Sequence, residues 1–442
     1  MKLWQKDFNI KSKVEVFTTG KDQESDLWLA EFDVLGSLAH TRMLASIQLL
    51  TADELAIIQT GLQQIYHEIK AGDFSIQPGV EDVHSQIELM LTERYGEIGK
   101  KIHSGRSRND QVLVDLKLFI RHQIQQTAAN CRNLFDLLIS LSEKYKKVLL
   151  PGYTHTQLAM PSSFGLWFGA YAESLVDDML VLQAAYKVAD QNPLGSAAGY
   201  GSSFPLDRLL TTELLGFGTL NFNSVYAQMT RGKTEKITAF GLASIAATVG
   251  KLAADVCLYM SQNMDFLTFP KEFTTGSSIM PHKKNPDVFE LIRAKCNRIQ
   301  AFPNEISLLL TNLTSGYHRD LQLIKENLLP AFADLNNCMD MTTYMLENII
   351  VRDNILDDAK YKYLFSVEVV NNLVLSGVSF RDAYRQVGME IEKGEFTPER
   401  ALNHTHVGSL GNLANPQISE KMAMVWQDFH FDQADKMYEL LN

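Results

Sequence analysis

Long stretches of the chain lack the residues that end helices. Gly and Pro are both absent from Arg106 to Leu150 and again from Ala331 to Ser376, and runs of that length favour long helices. A third stretch repeats apolar residues alternately three and four positions apart, which is the seam of a helix packed lengthwise in a bundle. Its members are Leu242, Ile245, Val249, Leu252, Val256 and Tyr259.

The lengths of these stretches bear on the shape of the molecule. An unbroken helix from Arg106 to Leu150 would be roughly 68 Å long, whereas a compact globule of this chain length is about 57 Å across. Either the protein is elongated or the helices are interrupted. Apolar seams on an elongated bundle need partner helices, and further copies of the same chain are the commonest source.

Strand signals are sparse, so the fold class predicted is all-α, built as a three-domain chain around a central long-helix bundle. One boundary is predicted near Gly105, before the first long run, and the other near the acidic cluster at 353–358. These boundaries predict an N-terminal, mostly helical domain over residues 1–105. The central bundle covers 106–355, and a C-terminal helical domain covers 356–442.

Composition narrows the class of protein. The 442 residues are 45% hydrophobic and 21% charged, with a formal net charge of −11, which argues against disorder and against nucleic acid or anionic membranes as partners. The cysteines are scattered without Cys-x-x-Cys spacing, and the N-terminus has no apolar signal segment. We expect a soluble cytoplasmic protein without a disulfide framework.

Phe273 to Glu290, FTTGSSIMPHKKNPDVFE, has the composition of a flexible loop followed by a helix start. Backbone N–H groups of such a loop, with Lys283 nearby, can hold a carboxylate or a developing oxyanion. Asn285 and Pro286 are suited to the cap and the first position of the following helix. The alternative is a surface loop with solvated lysines.

His103 to Gln111, HSGRSRNDQ, is a basic segment in an acidic chain. Arg106 and Arg108 can each bind a carboxylate through two parallel hydrogen bonds. The alternative is that Asn109 or Asp110 caps a long helix and the arginines are solvated.

Two further segments carry weaker signals. In Gly152 to Pro161, GYTHTQLAMP, His155 could act as a general acid or base near neutral pH, although a lone histidine is more often structural. In Pro193 to Pro205, small residues permit close approach of a ligand or of another helix. His40, His67 and His84 show no metal-ligand spacing, so no metal site is predicted.

Taken together, these segments resemble one family over most of the chain. Gly276 to Pro286, GSSIMPHKKNP, resembles the signature of the fumarase/aspartase superfamily. Within it, Gly105–Val112, Gly152–His155 and Pro193–Ser196 are similar to the argininosuccinate lyase family, to which the delta-crystallins also belong. The similarity runs from about Asp26 to about Lys325.

The resemblance implies a reversible cleavage of argininosuccinate to arginine and fumarate, without cofactor or metal, in arginine biosynthesis. It also implies a homotetramer in which segments of three subunits form each site. The base removes a proton beside a carboxylate and gives a doubly charged aci-carboxylate, which the site must bind more tightly than the substrate. By the resemblance, Ser277 is this base.

The other roles come from the same resemblance. His155, paired with Glu290, orients the site or relays a proton. The groups that hold the developing charge are Lys283, Asn285 and the backbone N–H of Ser278. The fumarate-side carboxylates are bound by Thr154, Ser107, Arg108 and Asn109. The arginine part is contacted by Tyr317, Gln322 and Lys325, and Arg231 contacts the ligand.

The chain departs from the family pattern mainly where the distal half of the substrate would bind. The usual N-terminal Trp-Gly-Gly-Arg-Phe is absent, and Phe17–Gly20 replaces a segment that touches substrate. His282, His318, Leu323–Ile324 and Gly232–Lys233 also stand where other residues are usual. Two alternatives therefore stay open. One is a superfamily lyase for another succinyl-amino compound, which includes one with a modified arginine half. The other is a catalytically silent, crystallin-like structural protein.

Overall fold

The computed structural model of the protein describes residues 12–276 and 278–442. Helices dominate these residues, and the strands pair two by two in small sheets. The α-helices are α1 (Ser12–Thr19), α2 (Asp22–Asp26), α3 (Ala30–Ser46), α4 (Ala52–Ala71), α5 (Val83–Tyr95), α6 (Glu97–Lys100), α7 (Arg108–Lys144), α8 (Phe164–Ala189), α9 (Arg208–Leu214), α10 (Ser224–Met229), α11 (Lys233–Tyr259), α12 (Asp287–Ile299), α13 (Phe302–Leu309), α14 (Leu323–Glu347), α15 (Ser366–Leu375), α16 (Phe380–Glu392), α17 (Asn415–Gln427) and α18 (Phe431–Ala434).

The strands and the 3-10 helices are short. The strands are β1 (Leu149–Thr154), β2 (Gln157–Ser163), β3 (Gln191–Asn192), β4 (Thr219–Leu220), β5 (Leu267–Thr268), β6 (Thr275–Gly276), β7 (Lys284–Asn285) and β8 (Ile350–Val351). The 3-10 helices are Leu27–Leu29, Lys101–His103, Lys271–Phe273, Arg319–Gln322, Ile355–Asp357, Ala359–Phe365 and Asp435–Leu441.

The first breaker-free run forms the long helix α7, which has 37 residues and is therefore about 56 Å long. Its N-cap is Ser107, and of the two residues in the alternative, Asn109 and Asp110, only Asp110 contributes a side chain to the cap. The Ser107 hydroxyl accepts from the backbone N–H of Asn109 at 3.3 Å, and the Asp110 carboxylate accepts from the backbone N–H of Ser107 at 2.8 Å. This capping box starts α7 beside the two arginines.

The predicted apolar seam lies on α11 and is buried at Leu242, Ile245, Val249, Leu252 and Val256. Neighbouring α8 approaches closely, since a Cβ added at Gly241 would lie 3.2 Å from Leu182. By length and composition alone α11 could cross a membrane, but most of it is buried, and core helices of soluble proteins pass the same test.

The second breaker-free run is not one helix, so for this run the alternative of an interrupted helix is the one observed. Helix α14 ends at Glu347, and β8 and two 3-10 helices follow before α15 begins at Ser366. Asn354 adopts a left-handed conformation with φ of 59°, which Asn and Asp tolerate better than other side chains. Turn-forming residues therefore interrupt the helix without Gly or Pro.

A β-hairpin that the sequence pattern did not predict carries His155. Strands β1 and β2 pair antiparallel, with Thr154 opposite Gln157. His155 and Thr156 form the turn with φ of 53° and 61°, as a two-residue hairpin turn requires. Asn and Gly, the usual signals for this turn, are absent, and His155 lies exposed at the tip.

Two short strands lie on either side of the second Ser of the Gly-Ser-Ser motif and the residues after it, because Thr275 pairs with Asn285 and Gly276 with Lys284. Helix α12 begins at Asp287, one residue later than predicted. Asn285 is therefore a strand residue rather than the helix cap. Pro286 occupies the cap position instead.

One large apolar core, from Leu29 to Leu440, runs through helices of all the predicted segments. A small separate cluster on α15, α16 and the loop that follows contains Val370, Ala383, Val387 and Phe396. The division into three domains stays a prediction.

Candidate active site

A cavity of about 140 Å³ lies where the N-terminal helices meet the start of α7 and the segment before α14. Five residues predicted to bind substrate line it: Arg108, Asn109, Tyr317, Gln322 and Lys325. The fold therefore brings together two groups of residues that are separated by about half the chain. Thr18 and Thr19, from the segment that stands where the family has a substrate-touching one, also line it. The sequence pattern did not predict the other polar residues of this lining, which are Asp22, Asp26, Glu81, Asp82, His84 and Arg319.

Carboxylates hold the arginines of the cavity in place. Arg108 Nη1 lies 2.7 Å from Glu81 Oε2 and 3.3 Å from Asp82 Oδ2, and Arg108 Nη2 donates to Ser85 Oγ at 2.7 Å. Glu81 also accepts from Arg319 Nη2 at 3.0 Å. These contacts hold the Arg108 guanidinium in one orientation at the cavity.

Lys325 also lines the cavity and is almost fully buried. Its Nζ pairs with Asp22 and lies 2.6 Å from Asp26 Oδ1. Burial opposes the charge, but Asp26 and Asp22 outweigh it and raise the pKa of Lys325. Gln322 Nε2 donates to the carbonyls of Thr18 and Thr19 at 3.3 and 3.0 Å. The N-terminal segment thus contacts the residues assigned to the arginine part.

Arg231 does not line this cavity. Its side chain is buried, pairs with Glu235, and donates from Nη2 to the carbonyl of Leu321 at 3.0 Å. Leu321 belongs to the 3-10 helix that ends at Gln322. In this chain Arg231 therefore contacts the backbone of the 3-10 helix that lines the cavity, and not the cavity itself.

The remaining predicted residues lie outside the cavity of the single chain. Thr154 and His155 are at the exposed hairpin tip, and Ser278, Lys283 and Glu290 are exposed near the β6–β7 pair, while Asn285 and Ser107 are half-buried. Ser277 lies outside the described residues. Within the described part of one chain, only the Arg108 and Lys325 groups converge.

A buried polar cluster adjoins the cavity. The ligand-type atoms of Asp33, His84 and Asp115 all lie within 4.8 Å of one another, close enough to hold a metal ion. The sequence pattern left His84 aside because metal-ligand spacing was lacking. Its partners come from α3 and α7, and no local motif signals them.

Comparison with known proteins gives consistent matches. A family model described as lyase matches residues 10–301. The argininosuccinate lyases of Parabacteroides distasonis and Bacteroides fragilis are each 60% identical and match over 98% of this chain and 98% of their own length. That of Thermotoga neapolitana is 37% identical over 87% of this chain and 97% of its own.

Solved structures show the same fold at low identity. An EDDS lyase variant with bound fumarate has a TM-score of 0.73 and 22% identity, covering 97% of this chain and 92% of that one. A class II fumarase from Schistosoma mansoni has a TM-score of 0.73 and 16% identity, covering 95% of this chain and 97% of that one. The predicted all-α, fumarase-like fold is confirmed.

Proposed function

Since the chain belongs to the argininosuccinate lyase family, we propose that it catalyses the reversible elimination of fumarate from argininosuccinate, which yields arginine. The observation that carries the proposal is the single cavity in which Arg108 and Asn109 meet Tyr317, Gln322 and Lys325. Guanidinium and ammonium groups suit a substrate with several carboxylates. The chain therefore acts as a carbon–nitrogen lyase in arginine biosynthesis.

The chemistry follows from the roles that the resemblance assigns. Arg108 and Asn109, with Ser107 and Thr154, bind the carboxylates of the succinyl part. Ser277 removes the proton beside one of them, and negative charge then develops on that carboxylate.

Three groups stabilise this charge before the C–N bond breaks and the electron pair leaves with the guanidino nitrogen. They are Lys283, Asn285 and the N–H of Ser278. His155, paired with Glu290, orients the site or relays the proton.

The active protein is proposed to be a homotetramer whose sites are shared between subunits. The exposed positions of His155 and Lys283, away from the cavity, support this. Large apolar side chains on the bundle helices are exposed in the single chain and would be covered by partner helices. They include Leu180, Val181, Phe240, Leu258 and Leu291.

The protein is proposed to act in the cytoplasm. Cys131, Cys257, Cys296 and Cys338 are free thiols, and free thiols are usual in a reducing compartment.

A substrate panel tests the reaction. Purified protein is expected to release fumarate, followed by its ultraviolet absorbance, from argininosuccinate faster than from adenylosuccinate, aspartate or malate. Higher turnover on one of those three substrates would replace the proposed one. Release of no fumarate from any succinyl compound would favour a structural protein.

Mixing two inactive variants tests the shared site. Arg108→Ala removes a residue of the cavity, and His155→Asn removes a residue of the exposed hairpin. If the Arg108 and the His155 of one site come from different subunits, some sites of a mixed oligomer contain neither substitution. Unfolding and refolding the variants together is expected to give activity well above the sum of the two refolded separately. Activity equal to that sum would contradict shared sites.

A further inference from the structure

His84 lies between the cavity and two buried carboxylates. Its Nδ1 lies 2.5 Å from Asp33 Oδ2 and 3.5 Å from Asp115 Oδ2. His84 begins the first turn of α5, whereas Asp33 and Asp115 project from α3 and α7. The side chains are 7%, 1% and 1% exposed for His84, Asp33 and Asp115, respectively. Carboxylates from two other helices, α3 and α7, therefore lie next to the imidazole ring.

The surroundings shift the pKa values of the two carboxylates in opposite directions. Burial and the nearby Asp33 carboxylate raise the pKa of Asp115 well above its usual range. The pKa of Asp33 is lowered although burial opposes its charge, because His84 and Arg106 attract it. Of the two carboxylates, Asp33 is therefore the one whose charged form its surroundings favour as partner of the ring.

His84 is consequently cationic. Burial alone would lower its pKa, but Asp33, Asp82 and Asp115 raise it to about 10. Nδ1–H donates to Asp33, so the second N–H is at Nε2, on the other side of the ring. Nε2 has no hydrogen-bond partner among the described residues, and His84 lines the same cavity as Arg108 and Asn109.

We propose that His84 is a substrate-binding residue whose Nε2–H donates to a carboxylate of the succinyl part, and that Asp33 and Asp115 are the positioning residues that hold its ring. This role rests on the proposed lyase function. Arg108 Nη2 bonds to Ser85, the residue after His84. His84 and Arg108 therefore lie close together in the cavity lining.

Two substitutions of His84 test its two ring nitrogens separately. His84→Asn keeps a donor near the Nδ1 position, whereas His84→Gln places one near Nε2. Calorimetric titration with fumarate is expected to show affinity about 10- to 100-fold lower for His84→Asn, the range for a lost charged hydrogen bond. The loss for His84→Gln should be smaller. His67→Asn, at an exposed histidine of α4, is the control.

Some outcomes of these titrations would contradict the role proposed for His84. Unchanged fumarate affinity in His84→Asn would overturn the assignment, as would a loss confined to arginine binding, which would place His84 on the amino-acid part. Activity that disappears with a chelator and returns with a divalent cation would make the cluster a metal site instead. Because fumarate binding is measured directly, it tests His84 even if wild type does not cleave argininosuccinate.

The pH dependence tests the positioning carboxylates. In Asp33→Asn/Asp115→Asn the pKa of His84 should fall toward its ordinary value, since burial lowers it and, of the three carboxylates that raise it, only Asp82 remains. Fumarate affinity of this variant should then decrease as the pH rises through about 6 to 8, relative to wild type. Lowered thermal stability with an unchanged pH profile would show a structural role only.

Discussion

Replacement of Ser277 by Ala is expected to lower kcat for argininosuccinate by about 10²- to 10⁴-fold, the usual contribution of a positioned general base. The proton to be removed is on a weakly acidic C–H. Without the base, the carbanion-like state forms only when solvent water accepts that proton. Because the substituted hydroxyl is small, substrate binding should change much less than turnover. Steady-state kcat and KM, followed by fumarate absorbance, measure both.

A matched variant in the same segment separates catalysis from folding. Thr274→Ala also removes a hydroxyl, which donates to the carbonyl of Lys271 at 3.3 Å. It should retain activity close to wild type, and both variants should melt at the wild-type temperature. A Ser277→Ala enzyme within ten-fold of wild-type kcat would show that another group is the base.

The long helices could be predicted from sequence because their signal is local. The seam of α11 and the start of α7 follow from apolar spacing and from polar residues within one turn. The β1–β2 hairpin could not be predicted, since His155 and Thr156 are unusual residues at such a turn. Their positive φ angles are supported by the pairing of Thr154 with Gln157 on either side. The end of α14 has Asn348 at the cap position and no Gly or Pro, so the sequence predicts only a boundary nearby, at 353–358.

The candidate site divides in the same way. Motifs located Arg108 and Lys325, but not the carboxylates that hold them. Lys325 and its partner Asp26 lie 299 positions apart, and Asp33 and His84 lie 51 apart. Such pairs depend on how helices pack, and a single sequence carries no periodic signal for them.

The role of Arg231 also depends on how the helices pack. Its replacement is the second substitution for which we expect a large effect, here on the free energy of unfolding. Its side chain and that of Glu235 are 1% and 3% exposed and form an ion pair one turn apart. Arg231→Met is expected to lower the free energy of unfolding by about 3–5 kcal/mol, because the Glu235 carboxylate would be left buried without its partner. The Leu321 carbonyl would lose its donor at the same time, so KM should rise as the wall near Gln322 loosens.

A second substitution and a surface pair test this reason. Glu235 also accepts from the backbone N–H of Gly232 at 2.7 Å, an acceptor that Glu235→Gln preserves. The double variant Arg231→Met/Glu235→Gln should therefore regain part of the lost stability in denaturant unfolding, because no unpaired charge remains. Arg132→Met breaks an exposed pair of the same spacing with Asp136 and should cost less than about 1 kcal/mol. Equal losses for Arg231→Met and Arg132→Met would show that burial of the pair does not govern its contribution.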